Sequence, residues 1–182
     1  SMGDFLKCPR AYFLHNVYKN PKTGKKINII NPALALGQIV HEIVEDLANF
    51  KAEERFSRPL LDDFDKAWGK VSGKRGGFES VAEEEGAKAR GRSMIERVMK
   101  NPGPLANKTV RIKAGANDMP PNFYLSEADN IILCGKIDWL EYVPEKDAVR
   151  LLDFKTGKHD ENGESLQLPI YHLLLKNCQN RP

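Results

Sequence analysis

Two stretches decide the fold of this chain: Gly135-Lys136-Ile137-Asp138-Trp139 and Leu151-Leu152-Asp153-Phe154-Lys155. Both are rich in apolar residues and typical of β-strands, and the turn residues between them favour a hairpin. Because side chains alternate between the faces of a strand, Asp153 and Lys155 share one face while their apolar neighbours point into the core. Asp138 interrupts its own strand in the same way. We therefore expect Asp138, Asp153 and Lys155 to meet.

The two acidic residues of the hairpin predict a cation between them. Facing carboxylates repel each other, and burying them unpaired is costly. Mg²⁺ suits such a pair because it takes one or two carboxylates and keeps waters that phosphate oxygens can replace. A bound metal of this kind polarises a phosphodiester and activates water. Lys155 would reach the same pocket and stabilise the negative charge that develops there.

A helix that begins at Asn31-Pro32 is the clearest element in the first half of the chain. Its apolar residues repeat at steps of three and four: Leu36, Val40, Ile43, Val44, Leu47 and Phe50. His41 offers an imidazole nitrogen as a further metal ligand, and Gly37 would let the helix approach the sheet closely. Glu42 and Glu45 are nearby acidic candidates, but we place them at helical angles that differ from that of His41.

The remaining pattern predicts a mainly helical first half and a strand-rich second half. Helices are expected at residues 5–18, with Pro9 early or between two turns, at 60–71, from Ser80 to near Pro102, and at 166–175. Strands are expected at 109–113, 123–126, 131–143 and 149–154. Short turns between the strands favour a meander. The pattern therefore predicts an α/β protein.

Composition sets bounds on size, partners and compartment. A chain of 182 residues with 41% hydrophobic residues has the size and core of one ordinary domain. Its 28 basic and 25 acidic residues give a net charge of +3, which permits a polyanionic partner without demanding one. The sequence has no apolar run long enough for a membrane span and no signal pattern, and its three cysteines are widely spaced. We expect a cytoplasmic protein that does not enter a membrane.

Each candidate site residue also has an ordinary structural interpretation. An Asp-x-Lys pair on a strand is usually a surface ion pair, and a single histidine on an amphipathic helix usually lies at the edge of a core. Gln167 and Tyr171, one helical turn apart, are by themselves a hydrogen-bonding helix face. The joint order and spacing of these residues favours a site over separate structural roles.

Four motifs follow one another along the chain: Gly37-x-x-x-His41, Gly135-x-x-Asp138, Asp153-x-Lys155-Thr156-Gly157 and Gln167-x-x-x-Tyr171. With the N-terminal segment Phe5-Leu6-Lys7-Cys8-Pro9-Arg10-Ala11-Tyr12-Phe13, this order resembles the RecB-like branch of the PD-(D/E)xK nuclease superfamily. The branch includes RecB-family exonucleases, AddB-type nucleases and CRISPR-associated RecB-like exonucleases. The resemblance implies a restriction-endonuclease-like core, with a central mixed β-sheet flanked by helices. We expect a single nuclease domain over residues 1–182, mainly helical over 1–104 and with the sheet and motif helix over 105–182.

The same resemblance implies the parts of an active site. Mg²⁺ or Mn²⁺ would be held by His41, Asp138, Asp153 and the main-chain carbonyl of Phe154. The catalytic residues would be Asp138, Asp153 and Lys155. Contact with DNA or support of the site would fall to Gln167, Tyr171, Arg10 and Tyr12. The implied reaction is hydrolysis of phosphodiester bonds in DNA, as by an exonuclease in DNA repair, recombination or defence.

The cysteines depart from the pattern of some relatives in this branch. Those relatives hold an iron–sulfur cluster, with one cysteine near the N-terminus and three beyond the Gln-x-x-x-Tyr helix. Here Cys8 fills the first position but Cys178 alone follows that helix, so the four thiolates that a cluster needs are absent. We expect no iron–sulfur cluster, and we expect Cys8 to be a buried small residue that packs the first helix.

Partners and surfaces leave alternatives open. Relatives usually continue with another strand, so we expect a shortened form, a minimal member, or a sheet edge that a partner or second subunit completes. A helicase or other protein subunit is a candidate partner. An alternative function is a catalytically inactive, nuclease-like DNA-binding or assembly module of a larger helicase–nuclease or CRISPR-adaptation complex.

Candidate phosphate contacts are Lys19, Lys22, Lys25, Lys26, Lys70, Lys74, Arg75 and Lys158. Residues that would either stack on bases or, as the safer assignment, pack in the core are Tyr12, Phe13 and Trp139.

Overall fold

The computed structural model describes residues 2–26, 30–112, 120–157 and 166–178. Its α-helices are α1 (Met2–Lys7), α2 (Pro9–Tyr12), α3 (Pro32–Asp46), α4 (Leu60–Trp68), α5 (Val81–Lys100) and α6 (Gln167–Asn177). Its strands are β1 (Asn122–Ser126), β2 (Ile131–Cys134), β3 (Trp139–Val143) and β4 (Ala148–Leu152). The predicted α/β class and the helical first half are confirmed. Among the described helices, none combines the length and the apolar character needed to cross a membrane.

Helix α3 forms the centre of the core, as the sequence predicts. Asn31 caps it, because its side-chain oxygen accepts a hydrogen bond from the backbone nitrogen of Leu34 at 2.9 Å, and Pro32 occupies its first turn. Its buried face consists of Ala35, Leu36, Ile39, Val40, Ile43 and Val44. This face repeats at steps of three and four residues, so one side of the helix is apolar along its length.

Helices α4 and α5 pack on α3 and on each other. Ser80 caps α5 by accepting a hydrogen bond from the backbone nitrogen of Glu83 at 3.2 Å. Gly91 of α5 lies directly against Phe64 of α4, where an added Cβ would come within 2.6 Å of the phenyl ring. The absence of a side chain at Gly91 therefore sets the distance between the two helices.

The N-terminal segment is more exposed than the sequence suggests. Pro9 starts α2 after a break at Cys8, and a turn of π-helix follows at Phe13–Val17. Cys8 is exposed, so its predicted burial is wrong, because the residue lies in the link between two short helices. Phe13 is 49% exposed, which also contradicts its predicted core position. Tyr12 packs edge-on against Phe5 at 5.5 Å between ring centroids.

The described strands pair as two antiparallel hairpins, β1 with β2 and β3 with β4. An isolated antiparallel bridge between Thr109 and Glu141 places the segment around Thr109 along the other edge of β3. The predicted central mixed sheet corresponds, within the described residues, to these two antiparallel sheets. The predicted continuous strand at 131–143 is interrupted, because residues 135–138 leave β2 before β3 begins. Lys113, at the end of the predicted strand 109–113, lies outside the described residues.

Buried Arg55 joins the helices to the β3–β4 sheet. Its Nε donates hydrogen bonds to the carbonyls of Leu47 at 3.0 Å and Phe50 at 3.1 Å, just beyond α3. Its Nη1 donates to the carbonyls of Leu105 at 2.7 Å and Asn107 at 2.6 Å, in the segment that leads to the Thr109 bridge. The guanidinium therefore supplies donors to four carbonyls and fixes the end of α3 relative to the sheet.

Candidate metal centre

Asp138 and Asp153 lie at the open end of the β3–β4 hairpin. Trp139 pairs with Leu152 in the register, so Asp138 directly precedes β3 and Asp153 directly follows β4. The predicted hairpin is confirmed, although both acidic residues lie just outside the strands. The backbone nitrogen of Phe154 donates a hydrogen bond to Asp138 Oδ2 at 2.8 Å. This bond ties the two ends of the hairpin together and fixes the carboxylate of Asp138.

Helix α3 brings His41 to the same end of the hairpin. His41 Nδ1 lies 3.6 Å from Asp138 Oδ2. One turn earlier, an added Cβ at Gly37 would lie 3.0 Å from Thr156 Oγ1, which bears out the predicted close approach of the helix at this glycine. The carbonyl of Thr156 accepts a hydrogen bond from Arg90 Nη2 of α5 at 2.7 Å. Helices α3 and α5 therefore both hold the segment that follows β4.

The side chains of Asp153, Lys155, Gln167 and Tyr171 form one network. Lys155 Nζ lies 2.6 Å from Asp153 Oδ2 and donates a hydrogen bond to Gln167 Oε1 at 2.7 Å. Gln167 Nε2 in turn donates to Asp153 Oδ1 at 2.7 Å and to the Tyr171 hydroxyl at 2.9 Å. Because Gln167 is the first residue of α6, the network connects this helix to the end of β4.

Most of the predicted site residues border one cavity of about 340 Å³. Its lining includes His41, Asp138, Asp153, Phe154, Lys155 and Gln167. Tyr171 lies behind Gln167 and reaches the site through that side chain. Arg10 and Tyr12 are not among the residues that line this cavity, and their predicted role stays a prediction.

Glu45, which the sequence pattern placed at a different helical angle from His41, lies beside His41 and Asp138 in the structure. It lies one helical turn after His41, and its Oε1 is 3.7 Å from His41 Nδ1. The separation of these two residues by helical angle was wrong, because residues four apart are neighbours on a helix surface. The i, i+4 spacing of His41 and Glu45 was the signal that could have found it. Ligand atoms of His41, Glu45 and Asp138 all lie within 4.8 Å of one another.

The electrostatics of this three-residue cluster favour an added positive charge. The neighbouring carboxylate of Glu45 raises the pKa of His41, and the charges of Asp138 and Asp153 raise it further. Burial raises the pKa of Asp138, although the bond from the Phe154 nitrogen opposes this. Burial works against ionisation of Glu45, but pairing with His41 and Lys136 still lowers its pKa. An imidazole nitrogen with carboxylate oxygens at this spacing is a donor set that could hold a divalent cation.

Comparison with known proteins assigns the chain to a family. The family model of the PD-(D/E)XK nuclease superfamily matches residues 1–182. The chain belongs to this superfamily. Members of the PD-(D/E)XK superfamily are generally nucleases that use divalent metals, which agrees with the donor set around His41 and Asp138. No curated protein and no solved structure matches the chain significantly.

Proposed function

We propose that this PD-(D/E)XK protein is a divalent-metal-dependent DNA nuclease of the RecB-like branch, acting as an exonuclease in DNA repair, recombination or defence. The observation that carries the proposal is the convergence of His41, Asp138, Asp153 and Lys155 on one cavity. The order of these residues along the chain is the order of the RecB-like motifs. Surface ion pairs alone would not bring a helix residue and two strand-end acids together.

The proposed metal ligands come from α3 and from the open end of the hairpin. Mg²⁺ or Mn²⁺ would be held by His41, Asp138, Asp153 and the main-chain carbonyl of Phe154, whose residues line one cavity. Glu45, which clusters with His41 and Asp138, would add a further oxygen. When bound, the metal supplies a Lewis acid for the phosphodiester and an activated water. Asp138 is held in position for this role by the Phe154 nitrogen, and Asp153 by the Gln167 amide.

Lys155 is the proposed electrostatic partner of the metal. Its ammonium group stands beside Asp153 and is directed by the Gln167 carbonyl oxygen. From there it would stabilise the negative charge that builds up on the phosphate during attack by water. The side-chain amide of Gln167 forms hydrogen bonds with Asp153, Lys155 and Tyr171. We therefore assign Gln167 and Tyr171 to support of the site rather than to contact with DNA.

A larger groove beside the cavity offers a path for the DNA strand. It is a space of about 900 Å³ between α3 and α4, and it shares His41 and Glu45 with the metal cluster. Basic side chains along it are Arg58, Lys66, Lys70, Arg111 and Lys136. The groove is also lined by four acidic residues, three of which pair with these basic residues: Glu42, Glu45, Asp46 and Asp63. Basic side chains neutralise phosphates without reading the base sequence. Lys158, also a candidate phosphate contact, lies outside the described residues.

A second basic feature is the small hairpin around the predicted lysine-rich loop. Lys19 and Lys26 pair across it, and the backbone nitrogen of Asn20 donates to the Lys25 carbonyl at 2.8 Å. Like charges directly opposite each other on paired strands are destabilising. A polyanion bound on this hairpin would relieve that repulsion.

The proposal is tested by incubating the protein with end-labelled single- and double-stranded DNA and Mg²⁺ or Mn²⁺. Cleavage is expected with either metal and should stop when the metal is chelated. Asp153→Ala and Lys155→Ala should abolish cleavage, whereas Asp129→Ala and Lys146→Ala, which remove the same charges at turns outside the cavity, should leave it unchanged. Binding without cleavage under both metals would favour the inactive DNA-binding or assembly module instead.

The exonuclease part of the proposal needs a substrate without ends. Covalently closed circular DNA should resist the protein under conditions in which the linearised form is degraded. Rapid cutting of the circular form would show endonuclease action and would overturn this part of the proposal alone.

A further inference from the structure

Lys136 pairs with a member of the candidate metal cluster and lines two cavities beside it. It follows Gly135 in the segment between β2 and β3, and its ammonium group forms an ion pair with Glu45. Its side chain is 72% exposed, whereas that of Glu45 is 21% exposed. Lys136 also lines both the groove of about 900 Å³ and a neighbouring cavity of about 560 Å³. An exposed cation is therefore paired with a partly buried member of the cluster.

The charge of Lys136 and a bound divalent cation would act on the same carboxylate. The carboxylate of Glu45 also lies 3.7 Å from His41 Nδ1. Its ligand oxygen lies within 4.8 Å of a carboxylate oxygen of Asp138 and of a ring nitrogen of His41. A divalent ion at this cluster would neutralise Glu45 and would repel an ammonium group a few ångströms away. Lys136 has a long, flexible stem and open space on two sides, so its charged end is able to move.

We propose that Lys136 is a displaceable counter-ion, which neutralises Glu45 in the metal-free protein and moves to a phosphate of the nucleic acid when a divalent cation occupies His41, Glu45 and Asp138. The inference rests on the proposed function, since it takes the metal and the polyanionic substrate from it. Metal occupancy and substrate affinity are then coupled through one side chain, and by linkage the coupling acts equally in both directions.

The chain contains a matched control for Lys136. Lys70 is also an exposed lysine, it also pairs with a glutamate of α3, Glu42 at 2.5 Å, and it lines the same groove. Glu42 is not a member of the three-residue cluster. Replacing Lys70 therefore removes the same charge from the same groove without freeing a carboxylate of the cluster.

The first arm of the test measures Mn²⁺ binding to the full chain by calorimetry, without DNA. Lys136→Gln should bind Mn²⁺ about two- to five-fold more tightly than the wild type, which is the range expected from removing a largely exposed ion pair. Lys136→Arg, which keeps the charge, and Lys70→Gln should bind as the wild type does. Glu45→Gln should bind more weakly. Equal affinities for Lys136→Gln and Lys70→Gln would overturn the inference.

The second arm measures binding of a fluorescent oligonucleotide by anisotropy with and without Mn²⁺, in a Lys155→Ala background that prevents the proposed cleavage. Mn²⁺ should raise the oligonucleotide affinity less in Lys136→Gln than in Lys70→Gln. An undiminished effect of Mn²⁺ in Lys136→Gln would contradict the transfer of Lys136 to phosphate. If the wild type itself binds no Mn²⁺, the proposed function fails together with the inference. If it binds Mn²⁺ but the two lysine variants behave alike, the inference fails alone.

Discussion

At the scale of single residues, the protein places an imidazole between two carboxylates. His41 Nδ1 is nearly equidistant from Asp138 and Glu45, at 3.6 and 3.7 Å. The same arrangement that would hold a divalent cation also favours a proton on His41. Protons and metal therefore compete for this cluster, and the competition can be measured.

Affinity for Mn²⁺ is expected to fall as the pH is lowered. The neighbouring carboxylate of Glu45 raises the pKa of His41 and burial raises the pKa of Asp138, so both hold their protons to higher pH than usual. A metal must displace these protons, and more of them are present at lower pH. Calorimetry across a pH series should show weaker binding with greater proton release toward acid. Mn²⁺ affinity that does not change with pH would contradict this account of the cluster.

Asp138 has a structural contact that can be separated from its charge. Asp138→Asn keeps an oxygen for the Phe154 nitrogen and should retain stability while losing most metal affinity. Asp138→Ala leaves that nitrogen without its acceptor in a half-buried position and should cost about 1–3 kcal/mol in the free energy of unfolding. Denaturant unfolding measures both variants. Equal stability of the two would show that the hydrogen bond does not hold the hairpin end.

The sequence identified most residues that line the cavity, but it did not identify residues such as Arg55 that hold the structure together. Asp138, Asp153 and Lys155 could be found because they interrupt apolar, strand-like runs, whereas Gln167 was found through the order of the four motifs. Glu45 was missed through an error in helical angle. Arg55 gave no signal, because its carbonyl partners come from segments up to 52 residues away that only the fold brings together.

At the scale of secondary-structure elements, the close contact of α4 with α5 depends on a missing side chain. Two glycines of α5 provide a matched pair, because a Cβ at Gly91 would collide with Phe64 while a Cβ at Gly86 would meet nothing within 4 Å. Gly91→Ala should destabilise the protein by about 1–3 kcal/mol through overpacking. Gly86→Ala should stabilise it by about 0.5–1 kcal/mol, since alanine favours a helix interior. Changes of the same sign in thermal unfolding would refute the packing argument.

Helices and strands that are marked by caps, apolar repeats or turn residues were predictable from the sequence. The interruption within the strand predicted at 131–143 was not. The cap at Asn31 and the apolar repeat marked α3, and the turn residues after β3 marked the hairpin. The interruption at 135–138 was missed because strand-forming residues stand on both sides of it, at 131–134 and 139–143. Cys134 pairs with Asn122 of β1, whereas Trp139 pairs with Leu152 of β4. The break is thus imposed by a change of pairing partner, which the composition of the run does not reveal.

At the scale of the whole molecule, helices and sheet share one core. Trp139 of β3 belongs to the same buried cluster as the apolar faces of α3, α4 and α5, and Leu152 and Phe154 pack against it. Arg55 adds its four hydrogen bonds between the end of α3 and the segment beside β3. We infer that residues 1–182 unfold as a single domain.

The two tryptophans of the chain make this inference testable, because Trp68 lies in α4 and Trp139 in β3. Trp68→Phe leaves a fluorescence probe in the sheet, and Trp139→Phe leaves one among the helices. In each variant, the fluorescence transition in denaturant should coincide with the loss of helical circular dichroism. Two separated midpoints in either variant would instead show independent helical and sheet domains.

The central claim is that a helix residue and two hairpin-end acids of this PD-(D/E)XK protein share one divalent cation. Anomalous diffraction from crystals soaked in Mn²⁺ tests it most directly. The account predicts a strong peak in contact with His41, Asp138 and Asp153, with Lys155 beside it. A peak bound elsewhere, or none at these side chains at saturating Mn²⁺, would contradict it.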